Sequence, residues 1–172
     1  EKYLEETQNN YDNNSFVSSL KCFFDKEIID EIIHRYRIGT SKIIKGYTIF
    51  WYLDIEGRVC GGTIMKFENL QQGPQITYRL HIPSSTNSNF KKDVTINESL
   101  TQKSLFFGEH LLKDNNKPVA IVENEETAIM ANIQFPDYIW LATGRTQDLT
   151  NDLVKVLGGR DVTLCPRNDK FN

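Results

Sequence analysis

Apolar positions change their spacing several times along this chain, and each change marks a different kind of structure. Residues 1–15 are polar and asparagine-rich with no periodicity, which predicts a mobile arm. In DKEIIDEIIHRYRIG (25–39), Ile28, Ile29, Ile32, Ile33 and Tyr36 fall on one face at helical spacing. Asp25 suits the N-cap and Gly39 a C-terminal stop. Arg35 and Arg37 sit in the last turn, where the helix dipole favours cations. In YTIFWYLDIEGRVCGGTIMKF (47–67), aromatic and β-branched residues are dense on both sides of Glu56-Gly57, which predicts a β-hairpin. QITYRLHI (75–82) predicts a third strand, SSTNSNFKKDVTIN (84–97) a surface loop, and SLFFGEHLL (104–112) a short apolar element.

From Pro118 the pattern becomes regular. VAIV (119–122) reads as a buried strand, ETAIMANIQF (126–135) as a helix and YIWLAT (138–143) as a second strand. DLTNDLVKVLGG (148–159) predicts a second helix with Leu149, Leu153, Val156 and Leu157 on one face, and DVTLC (161–165) a third strand. Strand–helix–strand–helix–strand with short links implies parallel strands and right-handed crossovers. Ligands of such sheets gather at the carboxyl ends of the strands. Glu123, Gly144 and residues 166–169 all fall there. A carboxylate ending a buried strand is costly to desolvate unless something uses it, which singles out Glu123.

Composition narrows the classes. At 172 residues the chain is one domain or two small lobes, and 39% hydrophobic with 25% charged residues supports a globular core. A net charge of −3 argues against tight binding of nucleic acid by the whole surface, leaving a local basic groove. The best such patch is Arg35, Arg37, Lys42 and Lys45. Cys22, Cys60 and Cys165 form no CxxC pair and suit a reducing cytosol, so we expect a cytoplasmic protein. No apolar run has membrane-spanning length, and no membrane partner is expected. Both ends read as cuts through a longer protein. His34, His81 and His110 are scattered and read as structural, while Trp51, Tyr52 and Trp140 fit a core better than a base-stacking surface.

VAIVENEETAIMA, IWLATG and VTLCPRND, in that order, resemble the start of a Toprim domain, the catalytic fold of bacterial-type DNA primases, topoisomerases and related nucleases. FDKEIIDEIIHRYRIG, the hairpin TIFWYLDIEGRVCGGTI and LFFGEHLL resemble the primase branch, so the similarity covers roughly residues 20–170. A primase-like family of bacterial mobile elements is similar throughout; its members often carry an upstream zinc ribbon, which this sequence does not contain. The resemblance implies that Glu123 matches the strand-end carboxylate, Gly144 the following turn, and Arg167 and Asp169 the two positions of a D-x-D pair. It also implies an α+β fold: an arm (1–15), a small mixed N-terminal lobe (16–117), and an incomplete Toprim-like α/β lobe with parallel strands (118–172).

In a full D-x-D pair, residues i and i+2 point the same way and present two carboxylates to Mg²⁺. Here one is Arg167, which repels each unit of metal charge by about 1 kcal/mol at 4 Å in water and about 4 kcal/mol at an effective dielectric of 20. Arg167 is suited instead to hold a phosphate. The expected role is therefore nucleic-acid transaction in replication or mobile-element maintenance, with weak or absent catalysis and weak Mg²⁺ affinity at Glu123 and Asp169. Arg35, Arg37, Lys42, Lys45 and Arg167 would contact nucleic acid, and replication proteins are the candidate partners. The alternative is an active Mg²⁺-dependent primase or nuclease using Glu123 and Asp169.

Overall fold

The computed structural model describes residues 2–81, 95–97, 105–144 and 149–166. The chain divides into two compact units: residues 1–52 with 58–103, and residues 53–57 with 104–172. The sequence-based boundary at 117/118 thus falls inside the second unit.

The first unit carries α1 (Lys2–Thr7), α2 (Ser15–Leu20), α3 (Lys26–Arg35) and the strands β1 (Gly39–Thr40), β2 (Thr48–Leu53), β3 (Val59–Phe67), β4 (Pro74–His81) and β5 (Thr95–Asn97). The strands form one sheet in chain order, with antiparallel β1–β2, β3–β4 and β4–β5 pairs. The expected hairpin is β2 and β3, and Gly57, at φ 79°, supplies the left-handed position of their turn. Every residue of β2 is buried, so the period-2 alternation of a half-exposed strand is absent there. Phe16, Phe50 and Phe67 meet at ring separations of 5.1–6.1 Å and dominate the core. Residues 95–97, expected as loop, are a strand; residues 84–94 lie outside the described set.

Residues 2–14 are not a mobile arm. Leu4 and Thr7 are buried, and the Trp51 indole Nε1 donates to Thr7 Oγ1 at 3.0 Å. Asn14, fully buried, is a polar hub. Its Oδ1 accepts from Val17 N (3.1 Å) and Thr48 Oγ1 (2.6 Å), while its Nδ2 donates to Gly39 O (2.9 Å) and Thr40 Oγ1 (3.2 Å). A polar, aperiodic segment can be buried when its polar atoms are satisfied from elsewhere in the chain, which composition does not reveal.

Helix α3 starts after Asp25 and buries Ile29, Ile32 and Ile33, but Ile28 is 37% exposed. The chain leaves it through Arg37, at φ 53°, rather than through Gly39. Gly39 is required for a different reason: a Cβ there would lie 2.7 Å from Thr7 Oγ1 and 2.8 Å from Trp51 Nε1.

The second unit is a parallel α/β layer: β6 (Val119–Val122), α4 (Glu125–Gln134), β7 (Ile139–Ala142), α5 (Asn151–Val154) with a 3-10 turn (Lys155–Leu157), and β8 (Val162–Leu164). Strand β6 lies between β7 and β8 and is parallel to both. Thr150 caps α5, its side chain accepting from Leu153 N at 3.2 Å. Leu153 and Leu157 join Phe106, Leu112, Val119, Ile121, Ile139 and Leu141 in the core, whereas Leu149 is 43% exposed. Ile55 packs on this core, which is why residues 53–57 belong to the unit. Phe107 forms an antiparallel bridge to Ala142, with reciprocal bonds of 2.8 and 3.1 Å, and so extends the sheet beyond β7. The chain as described is a mixed α+β fold: a helix-and-strand region followed by a parallel-sheet unit.

Candidate functional site

The strand order of the second unit fixes where a ligand can sit. The chain passes from β6 through α4 to β7 on one side, then through α5 back across to β8 on the other. The sense of progression reverses between β6 and β8, and ligands of open α/β sheets collect at the carboxyl ends of strands at such a switch point. Glu123 is the residue immediately after β6, and its side chain is exposed. Its backbone is held firmly: Gly144 N donates to Glu123 O at 2.9 Å, and Thr143 N to Val122 O at 3.1 Å. Gly144 has φ 75°, so the turn needs a residue that tolerates left-handed geometry. On the other side, Cys165 N donates to Ile121 O at 2.8 Å, carrying the β6–β8 ladder past the end of β8. Glu123, Gly144 and Cys165-Pro166 are therefore brought to one edge.

Helix α4 begins beside this edge. Asn124 is its N-cap by backbone geometry, without a side-chain capping bond, and Ala128 N donates to Asn124 O at 3.1 Å. Glu125 and Glu126 occupy the first turn, where the dipole favours negative charge, and both are buried, Glu125 completely. Sequence reasoning passed over these two in favour of Glu123. The signal was available in the run ENEE, which enters the helix, since carboxylates in a first turn have a role that Glu123, outside the helix, does not.

The donor set matters for a divalent cation. Mg²⁺ is held through carboxylate oxygens and keeps several waters. Among the described residues no group of three or more His, Cys, Asp or Glu side chains is placed to share an ion. Glu123 supplies one exposed carboxylate at this edge. Arg167 and Asp169 themselves lie outside the described residues.

The predicted basic patch lies in the first unit and is less uniform than the sequence implies. Arg35 pairs with Glu31 one turn away at 2.8 Å. Arg37 is half-buried at the left-handed exit of α3. Lys42 and Lys45 are exposed on the loop between β1 and β2, with Lys42 Nζ 3.7 Å from Glu6. They line a polar cavity of about 470 Å³ together with Asn9, Asn10 and Asn13. Trp51 and Tyr52 are fully buried, as a core reading expects, and the Trp140 indole donates to Phe135 O at 2.9 Å.

Two crossovers with a carboxylate at their switch point define the class: an α+β protein with a parallel-sheet unit. Residues 14–168 match the family described as Domain of unknown function (DUF6371), which covers most of the chain, and the protein belongs to that family. No curated protein matches it.

Proposed function

We propose that this protein is a primase-like, Toprim-type module for nucleic-acid transaction, acting by binding nucleic acid or a replication partner and catalytically weak or inactive. The supporting observation is topological. Glu123 stands at the carboxyl end of the central parallel strand, beside the reversal of strand order where ligands of such sheets collect. The order of VAIVE, the Gly144 turn and the β8 end agrees with the Toprim resemblance. Weak catalysis follows from the donor set, because Arg167 replaces a carboxylate and opposes a divalent ion.

Binding of labelled single strands at low and moderate ionic strength, with a primer-synthesis and a nuclease assay in Mg²⁺, tests this. A net acidic chain must attract nucleic acid through a local patch, so affinity should be modest and fall steeply with salt. Robust Mg²⁺-dependent synthesis or cleavage that Glu123→Ala abolishes would instead establish the active-enzyme reading. Absence of strand binding at low salt would remove the nucleic-acid reading.

A further inference from the structure

The cavity in the first unit joins the two lysines to amide, hydroxyl and apolar groups. Its volume, about 470 Å³, lies within the ordinary range for small-molecule sites. Asn9, Asn10 and Asn13 line it from the segment between α1 and α2, and Ser41, Lys42 and Lys45 from the loop between β1 and β2. Among the described residues no carboxylate lines it, although the chain carries a net charge of −3. Two lysines and three amides in one lining suit an anion, and the volume is far larger than a lone phosphate needs. Asn9 Nδ2 donates to Glu6 O at 3.0 Å and Asn13 Nδ2 to Asn10 Oδ1 at 2.7 Å, and the second hydrogen of each amide with the Asn9 and Asn13 carbonyls makes the donor and acceptor pattern that base edges complement. Ile43, 37% exposed in the lining, gives the pocket an apolar surface for a base or sugar.

The frame is fixed. Ser41 Oγ accepts from Ile43 N (3.2 Å) and Ile44 N (3.0 Å), and Ser41 N donates to Tyr47 O (2.9 Å), closing the lysine loop on itself. Gly46 O accepts from Ser15 N at 3.2 Å, which ties that loop to the start of α2. The Asn14 hub binds the asparagine segment to Gly39 and Thr40 from beneath. Within that segment, Asn13 Nδ2 donates to Asn10 Oδ1 at 2.7 Å, and Asn10 itself holds a left-handed φ of 56°. A pocket already in shape loses little entropy when a ligand enters.

We infer that this pocket seats one nucleoside-phosphate unit, with Lys42 and Lys45 on the phosphate and the asparagine segment on the base. The inference deepens the nucleic-acid reading above and rests on it for the choice of ligand. The unit comes from a free nucleotide or from a single strand, since the chemistry is the same. Glu6, 3.7 Å from Lys42 Nζ, competes with the phosphate for that lysine.

The experiment uses the full chain and three probes: inorganic phosphate, a nucleoside monophosphate and a labelled single-stranded oligonucleotide. The nucleotide should bind more tightly than phosphate and displace the oligonucleotide. Lys42→Ala and Lys45→Ala should each weaken binding about tenfold, the worth of one charge-assisted contact. The pocket's share of the oligonucleotide's log-affinity against log-salt slope should be about −0.7, for the one phosphate it neutralises. Glu6→Gln should tighten binding, a gain that a misfolded variant cannot mimic. Lys155→Ala, the same loss of charge in the second unit, should change nothing. If strands bind but both lysine variants match the parent, the pocket inference is overturned and the nucleic-acid reading survives. If the mononucleotide binds and strands do not, the pocket stands and that reading falls. Binding of neither probe overturns both, and phosphate binding as tight as nucleotide overturns the nucleoside part.

Discussion

Removing the Asn14 side chain should cost the first unit more than any surface change. Asn14→Ala deletes the α2 capping bond to Val17 N, worth about 1 kcal/mol. It also deletes donation to Gly39 O and Thr40 Oγ1, and the acceptor that Thr48 Oγ1 uses at 2.6 Å. Leaving a buried polar group short of a partner costs about 1–3 kcal/mol, and groups in one network are not additive. The combined loss should be about 3–5 kcal/mol, a large share of the roughly 5–15 kcal/mol typical of whole proteins. Urea unfolding followed by far-ultraviolet circular dichroism reads it as a lower midpoint at unchanged slope. Asn14→Asp tests the mechanism. It keeps the capping and Thr48 acceptors but loses both donors and buries a charge, so it should not rescue stability at neutral pH. A loss below about 1 kcal/mol for Asn14→Ala, against the handful expected from its bonds, would refute the hub, as would wild-type stability in Asn14→Asp.

Three further outcomes follow from the same geometry. Gly39→Ala should destabilise by about 1–3 kcal/mol through overpacking, because its Cβ would displace the Thr7–Trp51 bond; calorimetry should show a lower Tm with a shifted Trp emission. Thr150→Ala should cost about 1 kcal/mol by uncapping α5, read from the urea midpoint. Burial raises the Tyr11 phenol to about 12 and raises Tyr36 as well, so both stay neutral in the folded chain while the unfolded chain ionises near pH 10. Their contribution is complete below pH about 10 and is lost as pH rises toward 12. Unfolding free energies measured across that range should fall with pH, and less steeply in Tyr11→Phe.

The regular half of the sequence was the legible half. Strands 119–122 and 139–142 emerged from short apolar runs bounded by turn residues, because a strand buried on both faces has to be apolar throughout, whereas 162–164 is an exposed edge strand read from its place after the second helix. Glu123 was singled out as the first charge after such a run on the ground of a desolvation cost, which its exposed side chain does not pay. What failed was everything satisfied at long range. Asn14 reaches Gly39, Thr40 and Thr48, and no local window sees a partner 25 or more residues away. The N-terminal segment therefore read as an arm. Gly39 read as a helix stop, since spacing reports a break in helix but not an indole packed on the backbone. Residues 53–57 read as a plain hairpin turn, although Ile55 belongs to the core of the second unit.

Metal affinity at the switch point tests the central claim most directly. Mn²⁺ titration, followed by paramagnetic resonance, compares the parent, Arg167→Asp and Arg167→Asp with Glu123→Ala. Arg167→Asp adds a carboxylate and reverses a local charge, which is about 4 kcal/mol per unit charge at 4 Å and an effective dielectric of 20. The parent should bind Mn²⁺ poorly, Arg167→Asp should bind it better, and Glu123→Ala should remove the gain. Tight binding by the parent that Glu123→Ala abolishes would contradict a weakened site and put the active-enzyme reading first. No change in Arg167→Asp would show that these side chains do not converge on Glu123.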